Sequence, residues 1–142
     1  MKLITTTNPL NTARACIAMI CNLSIKEIAE ELKDDKKVKT RDIIRVLRAY
    51  NLKVDDKFSR VTIGWKYHVL RSALNIRIIA KLTGINHHYW VVVYRGEIYD
   101  PTRATKPEVI RQFPGRPTSY LEVRRRPLTI ISNERIIWRV SE

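Results

Sequence analysis

The chain has 142 residues, 44% of them hydrophobic, which suits one domain with a real core and excludes a disordered tail. Its 27 Lys and Arg against 14 Asp and Glu give a formal charge of +13, which predicts attraction to nucleic acid, an anionic membrane surface or an acidic protein. The longest apolar runs, such as Ile76 to Leu82 with Arg77 and Lys81 inside it, fall far short of the ~20 residues of a spanning helix.

Asn11 or Thr12 is placed to cap a first helix, whose Cys16, Ile17, Ile20 and Cys21 recur at helical spacing up to a stop at Asn22. Ile25, Ile28, Ala29 and Leu32 make the buried face of a second helix, opened by the capping box Ser24-Ile25-Lys26-Glu27. After the charged turn Lys33 to Lys39, Thr40 is read as the cap of a third helix carrying Ile43, Ile44, Val46, Leu47 and Tyr50, with Asn51 ending it. One further helix is predicted over Trp65 to Leu74. Then β-branched and aromatic residues take over in Ile76 to Leu82, Tyr89 to Tyr94 and Glu97 to Tyr99. A short helix over Pro107 to Phe113 and strands over Ser119 to Arg125, Leu128 to Ile131 and Arg135 to Val140 complete the reading. Helices first and antiparallel strands after make an α+β plan. Residues 1–142 are expected to form one domain, with N-terminal helices (about 8–74) packed on an antiparallel β-sheet (about 75–142).

No apolar stretch follows Met1-Lys2-Leu3-Ile4, so no signal peptide is expected. Cys16 and Cys21, five apart on one helix, suit neither a disulfide nor a CxxC motif. Reduced thiols in a cytoplasmic setting are the expectation. Cys16, Cys21, His87 and His88 share no recognised ligand spacing, so no metal or other cofactor is expected.

A helix near the N-terminus, two more helices, and then His88-Tyr89-Trp90-Val91-Val92-Val93 turning into Ile98-Tyr99-Asp100-Pro101 resemble the papain-like cysteine peptidases. Within them the chain looks most like the small, often phage-encoded C39-like domains, over roughly residues 8 to 102. The resemblance implies a nucleophile at the start of the first helix, a His opening a central strand and an Asp on the next strand. Helix N-terminal N–H groups and a neighbouring imidazolium would lower the thiol pKa there. On this mapping Cys16, His88 and Asp100 are the candidate catalytic residues, with His87 as the alternative base and Asn8 or Asn11 as a candidate oxyanion-hole amide. Aligning Ser24 and Lys26-Glu27-Ile28 with the family's second helix instead puts Thr12 where the cysteine stands, with Cys16 one turn further along. A threonine hydroxyl is a far poorer nucleophile, so this alignment implies a degenerate, non-catalytic domain. The hairpin register bears on the same site. A type I turn with Gly96 as a left-handed bulge residue would put His88 on the sheet face of Asp100, whereas a two-residue Arg95-Gly96 turn would put His87 there. The bulge is the expectation, because arginine at positive φ is unfavourable.

Charge suggests what such a domain would meet. Between Lys57 and Arg95 the basic residues Lys57, Arg60, Lys66, Arg71, Arg77 and Lys81 are interrupted by no Asp or Glu, and Arg124-Arg125-Arg126 adds a second cluster. These nine residues are the expected contacts to nucleic acid or an acidic protein partner, with a virion-associated role in viral assembly also in view. Two rival readings stand beside the degenerate domain. One is a working peptidase. The other is a helix-turn-helix regulator, because Leu23 to Leu32 followed by Thr40 to Arg48 resembles that DNA-binding unit, with Lys39, Arg41, Arg45 and Arg48 on its second helix.

Overall fold

The computed structural model describes residues 1–7, 11–32, 38–57, 59–60, 77–83, 88–102, 106–109, 113, 115–125, 128–132 and 135–139. Three helices come first: α1 (Thr12–Cys21), α2 (Ile25–Glu31) and α3 (Thr40–Ala49). Nine strands follow among the described residues: β1 (Leu52–Val54), β2 (Ser59–Arg60), β3 (Arg77–Thr83), β4 (His88–Tyr94), β5 (Glu97–Tyr99), β6 (Glu108–Val109), β7 (Arg116–Arg125), β8 (Leu128–Ser132) and β9 (Arg135–Arg139). The class is α+β, as the sequence predicts.

The helix ends follow local chemistry. Asn22 closes α1 in the left-handed conformation (φ 58°), which asparagine tolerates better than a branched residue. At the start of α2 the Glu27 N–H donates to Ser24 Oγ at 3.1 Å, so the predicted cap is present. The start of α3 shifts by one residue: Lys39 is the cap residue and its N–H donates to the Asp42 carboxylate at 3.1 Å, leaving Thr40 as the first helical residue. An acidic third helical residue reaching back to the cap N–H satisfies a donor that Thr40 would have left open. Asn51, at φ 63°, turns the chain out of α3 and into β1.

All paired strands are antiparallel. The main sheet runs β1-β7-β3-β4-β5-β6, with β2 also alongside β7, and β8 and β9 pair as a separate hairpin. Two strands therefore come from the stretch expected to be helical. β1 was not read in the sequence, although its burial alternates in, out, in over Leu52-Lys53-Val54. Glu108–Val109, expected within a helix, instead pairs with β5 through Ile98↔Glu108 and Glu97↔Val109, because the open edge of β5 offers hydrogen bonds that so short a helix could not match. The helix expected over Trp65 to Leu74 lies outside the described residues.

One core joins the two layers. Ile17 and Ile20 of α1, Ile28 of α2, and Ile43 and Leu47 of α3 cluster with Val54 of β1, Val92 of β4, Tyr99 of β5 and Leu121 and Val123 of β7. The predicted one-sided burial of α1 gives way to burial all round: every residue from Thr12 to Ile20 is buried. The cause is position, since α1 contacts β4, α2 and α3 at once, as an apolar helix without a polar face must. On β4 and β5, Val91, Val93 and Ile98 are buried as well, so both faces of the sheet are covered there.

Candidate functional site

Of the residues singled out in sequence, Thr12, Cys16 and Asp100 lie where α1 faces β4 and the end of β5. Thr12, the first residue of α1, is buried to 1% exposure, and its Oγ1 accepts a hydrogen bond of 3.4 Å from the Trp90 N–H. Trp90 lies two residues beyond His88, whose backbone pairs with Thr83. By strand alternation position 88 shares the sheet face of positions 90 and 92, and Trp90 and Val92 both pack with the α1 core.

The β4–β5 turn corrects the expected register. Tyr94 pairs with Glu97 and Val93 with Ile98, which leaves Arg95 and Gly96 as a two-residue turn at φ 50° and 78°. Both central residues take positive φ, the conformation whose twist matches the flanking strands. The Arg95 guanidinium lies 5.1 Å from the Tyr94 ring centroid, a cation–π contact that offsets part of the backbone cost. The consequence is that His88 does not share a sheet face with Asp100. That face runs through positions 93, 91 and 89; His87 and Asn8 lie outside the described residues.

Asp100 is 2% exposed and accepts hydrogen bonds from Thr102 and Tyr89. Its Oδ1 accepts from the Thr102 N–H at 2.9 Å and the Thr102 hydroxyl at 2.7 Å, and its Oδ2 accepts from the Tyr89 hydroxyl at 3.1 Å. The adjoining Pro101 carbonyl accepts from the Thr6 N–H at 2.8 Å, so the N-terminal segment braces the same corner. Thr102 was not singled out in sequence and Tyr89 was read only within the strand motif, although Asp100-Pro101-Thr102 carries the signal of an aspartate bonding the backbone two residues on.

Cys16 sits one turn along α1 from Thr12 and is fully buried. Burial pushes its thiol well above 9.0, and the negative charge of Asp100 pushes it further the same way. This is opposite to the depression that thiolate chemistry needs, and a sealed sulfur offers a substrate no approach. Cys21 is half-buried and, like Cys16, takes part in no disulfide. Asn11 stands at the cap position, but its side chain makes no cap hydrogen bond. Instead its Oδ1 accepts from Arg14 Nη1 at 3.5 Å. Arg14, the sole charged residue between Pro9 and Ile25, is 4% exposed. A lone arginine in so apolar a helix is a signal that could have marked this corner, and it was not singled out in sequence.

The expected basic contacts separate into groups. Lys57 and Arg60 are exposed. Arg124 is exposed but paired with the Glu122 carboxylate. Arg77 and Lys81 belong to β3, an inner strand flanked by β4 and β7, and Arg125 is backbone-paired with Leu52. Lys66, Arg71 and Arg126 lie outside the described residues. Among the described residues no group of three or more His, Cys, Asp or Glu could hold a metal ion, and no helix is long and apolar enough to cross a membrane. The sequence matches no family model and no curated protein.

Proposed function

We propose that the chain is a papain-like α+β domain without peptidase chemistry, serving as a basic binding module for a polyanionic partner, either nucleic acid or an acidic protein surface. One observation carries the reading: the buried first turn of α1 presents the hydroxyl of Thr12, engaged by the Trp90 N–H, where the family resemblance expects a cysteine. A threonine hydroxyl needs a dedicated base to attack a carbonyl. The thiol one turn along, Cys16, is sealed in the core with its ionisation suppressed by burial and by Asp100. A helix beginning against a central strand, and a buried aspartate just after the next strand, support the family likeness. The charge of +13 supports the polyanionic partner.

Thiol labelling at pH 6 to 7 tests the loss of chemistry. The native protein, its Cys16→Ala variant and its His88→Ala variant are treated with iodoacetamide and, separately, incubated with a mixed peptide substrate pool. The expected result is modification of Cys16 only after unfolding in urea, no change on removing His88, and no cleavage. Rapid native labelling of Cys16 that collapses in His88→Ala would overturn the reading and favour a working peptidase.

A further inference from the structure

On that reading of a basic binding module, we propose that the exposed face of α3 is a docking surface for the phosphate backbone of nucleic acid, with Arg41, Arg45 and Arg48 as its contacts. These three residues recur at i, i+4 and i+7, which brings them within an arc of about 60° on the helix and spreads them over roughly 10 Å of its length. All three are exposed, while Ile43, Ile44, Val46 and Leu47 on the other side are buried. Docked through α1 and β1, α3 holds its arginines on a rigid support, so little ordering entropy opposes binding.

Arg48 is the fixed end of the row. Its Nη2 donates to the Val54 carbonyl at 2.8 Å and to the Asp56 carboxylate at 2.7 Å, bonds that leave Nε and Nη1 outside them. Arg41 and Arg45 make no hydrogen bond or ion pair with another described residue. The acid on the helix, Asp42, lies off the arginine arc and holds the Lys39 N–H.

Geometry and burial favour phosphates over base edges. A recognition helix enters the major groove with its N-terminal residues against bases, whereas the arginines of α3 run from its second residue to its ninth as a narrow strip of guanidinium groups. Such a strip neutralises charge along a strand, at one phosphate per about 3.4 Å of duplex axis on each strand. The surface should therefore bind without sequence preference.

The test is fluorescence anisotropy of a labelled 24-base-pair DNA duplex of arbitrary sequence, titrated with the full chain from about 50 to 300 mM NaCl. Four proteins are compared: wild type, Arg41→Gln/Arg45→Gln, the charge-keeping Arg41→Lys/Arg45→Lys, and Lys2→Gln/Lys26→Gln as a control with the same charge loss outside α3. Circular dichroism confirms that each is folded. Removing both arginines should flatten the slope of log K against log salt by about 2, from ~0.9 per phosphate contact, and weaken binding at least about tenfold near 100 mM. The lysine pair should keep the slope and the control should lose less than about threefold. An unchanged slope in Arg41→Gln/Arg45→Gln would overturn this surface while leaving the binding module standing. Wild type that ignores the duplex but binds polyglutamate overturns the nucleic-acid assignment alone, and wild type that binds neither overturns both.

Discussion

The hydroxyl of Thr12 accepts the main-chain N–H of Trp90 across 3.4 Å, tying the first turn of α1 to β4, residues that stand 78 apart in the chain. Thr12→Val keeps the shape of the side chain and removes the acceptor. Losing this hydrogen bond should cost about 1 kcal/mol, read as a lower urea midpoint at constant m-value. Thr12→Ser, which keeps the oxygen, should recover most of the loss.

Asp100 is the second anchor of the same corner. Asp100→Ala removes the acceptor of the Tyr89 hydroxyl and of the Thr102 N–H and hydroxyl and should destabilise by about 2 kcal/mol, because hydrogen bonds to a buried carboxylate are lost. Tyr89→Phe removes one of the three and should cost about 1 kcal/mol. A double-mutant cycle on Asp100 and Tyr89 should show non-additivity, since the second change removes a bond the first has already broken. Additive losses would mean that the two side chains do not interact.

The Cys16 thiol makes stability depend on alkaline pH. Its folded pKa lies above its unfolded value, for burial first and for the Asp100 charge second. Below the unfolded value both states hold the proton and the effect is absent. As pH rises beyond about 8.5–9 the unfolded chain ionises first, so stability falls by up to about 1.4 kcal/mol per pH unit until the folded thiol ionises too. Tyr99, raised by its own burial and by Glu97, adds a decline of the same sign at higher pH. Urea titrations between pH 7.5 and 10.5 should show a shallower fall in Cys16→Ala than in wild type; equal slopes would place the thiol in water.

Arg95 holds φ 50° beside Gly96 at 78°. Asparagine takes that conformation more readily than arginine, so Arg95→Asn should raise stability by about 0.5 kcal/mol, less whatever the Tyr94 contact supplied. Gly96→Ala should lower it by about 1 kcal/mol. Thermal melts of the two variants should move in opposite directions.

Residue pattern by itself determined the local elements: the three helices and their Ser24 and Asn22 boundaries, the long β-branched strands, and the α+β order. These are written in the spacing of apolar residues and in the caps, which act over a few positions. The short strands β1, β2 and β6 were not foreseen because two or three residues acquire strand identity only from the partner they pair with. Tertiary structure alone decided the site. Whether Cys16 is a nucleophile or a core residue depends on α1 being enclosed by β4, α2 and α3, and whether His88 or His87 shares the face of Asp100 depends on a single-residue choice of turn. Register has a period of two, so that one choice moves every side chain of β4 to the other face relative to β5. The pairing of β4 with β5 through Tyr94 and Glu97 makes that choice, against the local preference of Arg95.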